Sequence, residues 1–333
     1  MAGRKPTMRD IASAVGTSAV TVSKALAGRE GMSEKLRAKI VQKAAEMGYE
    51  YPGSRRPGGV EHLNIGILIP DRYFSMESYY GKLYQQLIRR LSDLGHFGLL
   101  EILNPEDEKE LVPPKLMETG HADGLILLGE PSKAYYRKVA QMGVPMVFLD
   151  FYDEQANADA VVGDNSYGTY RLTSHLIRLG HREIGFVGNR KATSSIMDRY
   201  LGYYRAMLVN DLPVRDDWIL SDREITGELF PPELPRELPT AFVCNCDMTA
   251  RAVIARLQAR GCGVPEDVSV VGFDDYPAGS EDELPLSTFR MDSDGMIELA
   301  VKTLLERCGG DKKPFGRLVV SGQPVYRESE RER

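Results

Sequence analysis

Two short amphipathic segments separated by a glycine open this chain and restrict its N-terminus to a small helical domain. In TMRDIASAVGTSAVTVSKAL, residues 7–26, apolar side chains recur at helical spacing before Gly16 and again after Ser18. Two helices joined by a tight glycine-containing turn form a helix-turn-helix, whose second helix lies in the DNA major groove. This pattern favours a regulator over an enzyme.

Helix-end signals and charge support the interpretation. Thr7, Ser18 and Ser33 are placed to cap three helices, and Gly48 follows the third, expected over residues 34–47. Residues 1–56 hold eleven Lys and Arg against five acidic residues, a net charge of +6 in a chain of net −6, so residues 57–333 carry −12. A basic head suits phosphate neutralisation, whereas the alternative is a helical domain with a solvated basic face.

Length and composition exclude several classes of protein. A chain of 333 residues, 42% hydrophobic and 27% charged, has room for two or three ordinary globular domains. It lacks both an apolar run of membrane-spanning length and an N-terminal signal peptide, so we expect a cytoplasmic protein without a membrane partner. The cysteines and histidines lack metal-ligand spacing, and glycine-rich phosphate loops are missing, so we expect no cofactor and no metal.

The pattern changes after residues 52–61, a Pro- and Gly-rich linker. Apolar segments then alternate with amphipathic ones, which predicts parallel sheets covered by helices on both faces. The predicted strands are 63–69, 97–103, 124–128, 145–149, 183–187, 241–243, 268–272 and 317–320. The predicted helices are 79–94, 167–179, 195–210, 247–260 and 292–307. These strands suffice for two sheets, with a ligand cleft at their carboxyl ends.

Several polar residues fall at those strand ends. Asp71, Asp150 and Asp274 each follow an apolar run, and Arg199 lies one turn into the helix that begins near Ser195. Aromatic residues lie nearby, namely Tyr73, Phe74, Phe151, Tyr152 and Phe273. Carboxylates, a guanidinium fork and aromatic faces suit a polyhydroxylated ligand such as a sugar. The alternative is that each Asp caps a helix or occupies a turn.

The motifs together resemble the lactose-repressor family of bacterial transcription regulators over nearly the full length of the chain. They are the head sequence above, GYEY, NIGILIPD, LIRLGHREIGFVG, SSIMDRYLGYYRAM, VPEDVSVVGFDD and LPLSTFRMD. The resemblance implies a helix-turn-helix head, residues 1–51, and an effector-binding core, residues 62–333. The core would consist of two Rossmann-like lobes, similar to periplasmic sugar-binding proteins and joined by three crossovers near Val162, Met291 and Ser321. Lobe 1 would span about 62–162 and 292–320, and lobe 2 about 163–291 and 321–333.

The resemblance also implies roles for single residues. Ala19, Val20 and Lys24 match base-reading positions, while Thr21 and Ser23 match positions that touch phosphate. Because Ala19 and Val20 have no polar side-chain atoms, Lys24 is the expected polar base contact, with weaker discrimination than arginine would give. The DNA-binding residues that we predict are Thr7, Ser18, Ala19, Val20, Thr21, Ser23, Lys24, Arg55 and Arg56. The effector-binding residues that we predict are Asp71, Tyr73, Asp150, Ser195, Arg199, Cys246 and Asp274.

The chain also departs from the family pattern. The linker PGSRRPGGV has no leucine and disfavours the usual hinge helix, so either Arg55 and Arg56 reach the minor groove as an extended arm or linker kinking is absent. Cys246 stands where the family has a ligand-contacting asparagine, with Asn245 displaced by one position.

The sequence therefore predicts a sequence-specific DNA-binding transcription regulator, expected to be a repressor. It would act as a homodimer on double-stranded operator DNA, controlled by a small sugar-like effector between the lobes. One alternative is a regulator that answers a protein co-regulator and has a degenerate pocket. Others are a sugar-processing enzyme, for which no acid/base pair stands out, and a plain solute-binding protein.

Overall fold

A computed structural model describes residues 7–26, 32–47, 49, 62–74, 78–118, 120–276 and 284–333. The chain divides into two compact units, residues 1–61 and 62–333. Gly48 and the linker, including Arg55 and Arg56, lie outside the described residues.

The described part of the head unit contains three helices, α1 (Met8–Val15), α2 (Ala19–Leu26) and α3 (Glu34–Glu46). Ile11, Val22 and Ile40, one from each helix, are fully buried against one another. Thr7 and Asp10 form a reciprocal capping box at the start of α1, in which each side chain accepts from the backbone N–H of the other residue. Gly16 ends α1 at a φ of 77°, a left-handed conformation that favours glycine. The helix-turn-helix geometry thus follows from caps and one glycine.

The first sheet of the core has six strands, all parallel, in the spatial order β11-β5-β4-β3-β1-β2. Its strands are β1 (Asn64–Pro70), β2 (Phe97–Leu103), β3 (Gly124–Leu128), β4 (Met146–Leu149), β5 (Asp159–Gly163) and β11 (Arg317–Val320). Its helices are α4 (Tyr79–Asp93), α5 (Pro105–Glu110), α6 (Lys115–Glu118), α7 (Lys133–Ala140) and α11 (Ser293–Cys308). Every residue of β3 and β4 is buried, as expected for parallel strands covered on both faces.

The second sheet has four parallel strands in the order β7-β6-β8-β9. They are β6 (Ile184–Val187), β7 (Ile219–Leu220), β8 (Ala241–Cys244) and β9 (Ser269–Val271). The accompanying helices are α8 (Asn165–Arg178), α9 (Ser194–Val209) and α10 (Asp247–Ala259). A two-stranded antiparallel ribbon, β10 (Thr288–Arg290) with β12 (Gln323–Val325), lies where the chain passes between the sheets.

The chain passes between the sheets three times. The passages follow β5, β10 and β11, so that α11 and β11 return to the first sheet while residues 326–333 return to the second. The predicted fold class, a helical head and two parallel α/β lobes with three crossovers, is confirmed. No helix in the described ranges is long and apolar enough to cross a membrane.

Some elements were not predicted from the sequence. These are helices α5, α6 and α7 and strands β5, β7, β10 and β12. Strand β5 escaped detection because it begins with a charged residue, Asp159, which is buried in an ion pair with Arg307 at 2.7 Å. A buried ion pair of this kind does not register in a hydrophobicity pattern.

Candidate functional site

Arg199 lies at the centre of the core's candidate site. It sits on α9, whose first turn is capped by the Thr193 hydroxyl, and it is only 5% exposed. Its Nε donates to Asn165 Oδ1 at 2.8 Å, and one terminal nitrogen donates to the Asn245 carbonyl at 2.5 Å. The guanidinium also lies 4.0 Å above the Phe273 ring. These contacts from α8, the end of β8 and the end of β9 fix the fork in one orientation.

Two carboxylates flank this arginine from opposite lobes. Asp274 Oδ1 lies 3.0 Å from a terminal nitrogen of Arg199, an ion pair in which the N–H is poorly aligned with the oxygen. Asp150, at the end of β4, accepts a hydrogen bond from Tyr80 at 2.8 Å. Both residues have positive φ, 72° for Asp150 and 103° for Asp274, which costs free energy in any residue other than glycine. Such strain concentrates at binding sites, where the surrounding structure holds it in place.

Burial sets the electrostatics of this group. It raises the pKa of Asp274 to about 6, although Arg199 opposes the shift. Burial likewise raises the pKa of Asp150, against the opposing effects of Arg199 and Tyr80. The pKa of Asp247 rises to about 8 because the residue is buried near Asp274. The carboxylates of the site thus hold protons more tightly than exposed aspartates do.

The structure brings together some of the predicted residues and leaves others apart. Arg199 interacts electrostatically with Asp274, Asp150 and Cys246. Ser195 is buried one turn away, with its hydroxyl 3.0 Å from that of Thr193. Asp71, by contrast, is exposed on a 3-10 turn.

Tyr73 ends the 3-10 turn that follows β1. Its ring lies 5.1 Å from the Tyr80 ring, and the Arg72 guanidinium lies 4.9 Å above it. Tyr73 therefore packs with Tyr80 and Arg72, and none of the described contacts joins it to the central guanidinium.

Cys246 occupies the N-cap position of α10. Its sulfur lies 3.6 Å from a terminal nitrogen of Arg223 and 3.2 Å from the Thr249 hydroxyl. The neighbouring Asn245 cannot substitute as a ligand contact in this arrangement, because its amide donates to Asp222 at 2.8 Å and accepts from Arg223 at 3.1 Å. Asn245 is thus a scaffold residue of a buried polar network.

A cavity of about 530 Å³ lies beside the central arginine, between α4 and the passages that join the lobes. Tyr79, Asp274, Arg290 and Asp294 are among its lining residues. The Tyr79 hydroxyl is buried and has no hydrogen-bond partner among the described residues. Charged and polar side chains make up most of the lining, so this cavity is suited to a polar ligand.

Direct contacts also join the two lobes around the cleft. Ser194, at the start of α9, donates from its backbone and its hydroxyl to Glu130 of the first lobe. Asp198, also on α9, accepts a hydrogen bond from Tyr152 at 3.0 Å and lies 3.6 Å from Arg317. Helix α9 therefore carries both the central arginine and the lobe-to-lobe contacts.

Sequence reasoning missed part of this site. The residues in question are Tyr79, Tyr80, Glu130, Asn165, Asp198 and Asp247. Tyr79 and Tyr80 carried a usable signal, because two adjacent aromatics open a predicted helix directly after a strand end. Glu130 and Asp198 carried none, since their roles depend on the approach of the other lobe.

The head displays part of the predicted DNA-contacting set. Ser18 is exposed, and its Oγ accepts from the Thr21 backbone at 3.1 Å, which caps α2 as predicted. Ala19 is partly buried against the head's apolar cluster, so it contributes to packing as well. Val20, Ser23 and Lys24 lie in α2, but their side chains are outside the described part of the chain.

Comparisons with known proteins agree with both units. Residues 7–51 match the bacterial regulatory proteins of the lacI family, and residues 173–330 match the periplasmic binding protein-like domain. The chain is 27% identical to the ribose operon repressor of Haemophilus influenzae, over 97% of this chain and 98% of that protein. It is 30% identical to the arabinose metabolism transcriptional repressor of Geobacillus stearothermophilus, over 73% of this chain and 70% of that protein.

A solved structure shares the fold of the whole chain. The lac repressor dimer bound to operator and the anti-inducer ONPF has a TM-score of 0.65 and 20% identity, covering 98% of this chain and 99% of that one. A helix-turn-helix head followed by a core of periplasmic-binding type defines a DNA-binding transcription regulator rather than an enzyme. The chain belongs to the lacI family of bacterial regulatory proteins.

Proposed function

We propose that this regulator is a cytoplasmic repressor that binds operator DNA as a homodimer and is controlled by a small polyhydroxylated effector held between its lobes. The observation that carries the effector proposal is the fixed guanidinium of Arg199. It interacts with Asp150 and Asp274, and a cavity of about 530 Å³ is lined by Asp274 and Tyr79. Hydroxyl groups of a sugar both donate and accept, so they can satisfy carboxylate, phenol and guanidinium together.

The position of these residues on both lobes supports a mechanism in which the effector closes the cleft. Ligand contacts from both lobes would add to the direct contacts of α9 and favour the closed arrangement. An effector shifts an equilibrium only by its differential affinity for the two states. Because Arg199 and Asp274 belong to lobe 2 and Asp150 to lobe 1, an effector that touches all three has greater affinity for the closed state.

The proposed DNA contacts are those of α2. We propose that Ala19, Val20 and Lys24 face bases and that Thr21 and Ser23 face phosphates. Two heads in a dimer would read half-sites about 34–36 Å apart, one helical turn of DNA. The lac repressor, which shares this fold, is a dimer on its operator.

We further propose the domain division set out from the sequence, with the linker at residues 52–61 and the lobes exchanging near residues 162, 291 and 321. The separate compact units and the order of the strands support it. The remaining predicted contacts, Ser195, Cys246, Tyr73 and Asp71, are proposed to line the cleft, with the exposed Asp71 at its outer edge.

A thermal-shift screen of the full chain against sugars, nucleosides and sugar phosphates tests the effector proposal. A ligand that binds only the folded state at ~100 times its dissociation constant stabilises it by about 2.7 kcal/mol. We expect Arg199→Lys, which keeps the charge but loses the fork, to abolish the shift. Arg205→Lys is the matched control, because Arg205 is exposed on the same helix.

Two outcomes would contradict the proposal. A folded Arg199→Lys variant that keeps the full shift would remove Arg199 from the site. A folded wild-type protein that no member of the panel stabilises would favour a regulator that answers a protein co-regulator.

A further inference from the structure

Carboxylates outnumber cations at the floor of the cleft. Asp150 and Asp274 are both buried, at 4% exposure for Asp150 and 9% for the Asp274 side chain. Among the described residues, Arg199 is the one cation within ion-pairing distance of Asp274, and none stands within that distance of Asp150. One guanidinium therefore faces two carboxylates.

The other N–H donors of Arg199 do not bond to the second carboxylate. Its Nε and one terminal nitrogen are committed to neutral oxygens, those of Asn165 and Asn245. Oδ1 of Asp274 receives no aligned hydrogen bond from a described residue, and Asp274 is one of the residues that line the cavity. The site therefore retains an unmatched acceptor with surplus negative charge.

The cavity wall repeats this imbalance. Asp275 pairs with both Arg290 and Arg327, each at 2.6 Å. The charged residues that line the cavity are Asp274, Asp275, Asp292, Asp294, Lys82 and Arg290. Gln86 donates to Asp294 at 2.7 Å, a neutral contact that leaves its charge in place. Four carboxylates therefore face one lysine and one arginine around the cavity.

We propose that the effector carries an ammonium group, as in an amino sugar or a related amino polyol, and that the site rejects sugar phosphates and sugar acids. This inference rests on the proposed effector site. An ammonium group offers three donors and no acceptor, which matches Asp274 and the carboxylates around it. Its positive charge offsets the surplus negative charge, whereas a phosphate or carboxylate would have to be buried against it. Specificity here would come from repulsion as much as attraction.

Burial of Asp274 also favours a positively charged ligand. It raises the pKa of Asp274 to about 6, and the negative charge of Asp150 contributes to the rise. The ionised carboxylate is therefore destabilised in the ligand-free site, and a bound cation would relieve that destabilisation.

Isothermal titration of the full chain with matched sugar series tests the inference. The probes are glucose, galactose and mannose, each as the neutral hexose, the 2-amino sugar, the N-acetylated amino sugar and the uronic acid. At pH 7.5 we expect the amino member of at least one series to bind ten-fold or more tightly than its neutral parent. The N-acetyl member, which keeps the size but loses the charge, should lose that advantage.

The outcomes separate this inference from the function on which it rests. A neutral or acidic member that binds as tightly as the amine overturns the ammonium inference and leaves the effector proposal standing. A complete absence of binding overturns the inference and also counts against a sugar-like effector. The comparison uses the wild-type protein, so it does not depend on how a variant folds.

A variant provides a second readout. Asp274→Asn removes one of the two carboxylates, and we expect it to reduce the amine preference to within about two-fold of the neutral parent. Asp211→Asn is the control, because Asp211 is exposed and lies beyond the end of α9. An unchanged amine preference in a folded Asp274→Asn protein contradicts the inference.

Discussion

One carboxylate oxygen of Glu130 accepts two hydrogen bonds from Ser194, at 2.8 Å from the backbone nitrogen and 2.9 Å from the hydroxyl. The two residues belong to different lobes, so this pair joins the β3–α7 loop to the start of α9. Burial raises the pKa of Glu130, and the Ser194 bonds oppose the rise. The contact between the lobes at this point thus depends on the Glu130 carboxylate of lobe 1, which accepts two hydrogen bonds from Ser194 of lobe 2.

Removal of the hydroxyl tests this contact. Ser194→Ala keeps the backbone donor and loses the second bond, and a hydrogen bond to a charged group contributes about 1.5–3 kcal/mol. We expect effector affinity to fall about ten-fold, since that is about 1.4 kcal/mol. Titration calorimetry measures the affinity, with Ser132→Ala as the control because Ser132 is exposed. Unchanged affinity in Ser194→Ala would mean that the contact does not favour closure.

Stability should depend on pH through Asp274. Its pKa rises from 3.8 to about 6 on folding, so the folded state binds the proton more tightly than the unfolded state does. The stabilisation from this group is therefore complete below about pH 4 and is lost as the pH rises through about 6. Because a tenfold change in proton affinity corresponds to about 1.36 kcal/mol, we expect a loss of about 1–2 kcal/mol between pH 5 and pH 8.

Urea unfolding of the wild type and Asp274→Asn at both pH values measures this loss. The variant should show a smaller decrease, while the exposed-site variant Asp211→Asn should follow the wild type. Parallel curves for wild type and Asp274→Asn would show that Asp274 does not titrate in this range.

Helices α8 and α9 approach so closely that a methyl group does not fit between them. A Cβ on Gly202 would lie 2.1 Å from the backbone oxygen of Ser166. We expect Gly202→Ala to lower the free energy of unfolding by about 1–3 kcal/mol. It should also weaken effector binding, because separation of the helices moves Arg199 away from Asn165.

The control for this substitution is Gly316→Ala. No atom lies within 4 Å of a Cβ placed on Gly316, so urea unfolding should detect little change. A Gly202→Ala protein as stable as the control would show that the helices separate at no cost.

The DNA proposal is tested at Lys24. A good bidentate contact to a base contributes about 1–3 kcal/mol of discrimination, and lysine lacks the fork that makes one. On an operator selected from random DNA, we expect Lys24→Ala to reduce the ratio of specific to non-specific affinity about ten-fold and Lys24→Arg to raise it. Lys43→Ala is the control, since Lys43 pairs with Glu46 on α3. A fluorescence-anisotropy titration in which Lys24→Ala keeps the wild-type ratio would reject Lys24 as a base contact.

Local signals explain what could be predicted from the sequence. The apolar run of β1, NIGILIP, and the cap of α2 at Ser18 are both properties of neighbouring residues. An aspartate directly after an apolar strand was the signal for a site residue. It correctly selected Asp150 and Asp274, which interact with Arg199, but it also selected Asp71, which is exposed. The sequence cannot show which strand end faces the other lobe.

The rest of the site depends on residues that are far apart in the chain. Asn165 and Asn245 orient Arg199 from positions 34 and 46 residues away. The raised pKa of Asp274 arises from burial by both lobes, which no pattern of neighbouring residues records. Contacts between residues that are distant in the sequence, rather than local secondary-structure propensity, therefore determine the chemistry of the cleft.

Strand β11 completes the first sheet by pairing with β5, although more than 150 residues separate them in the chain. During synthesis, the first lobe therefore cannot acquire its edge strand until the ribosome has translated residues 317–320. The head, by contrast, is one continuous segment at the leading end. A nonsense mutation upstream of residue 317 would release a product that keeps its nucleic-acid-binding end and lacks a complete sensor.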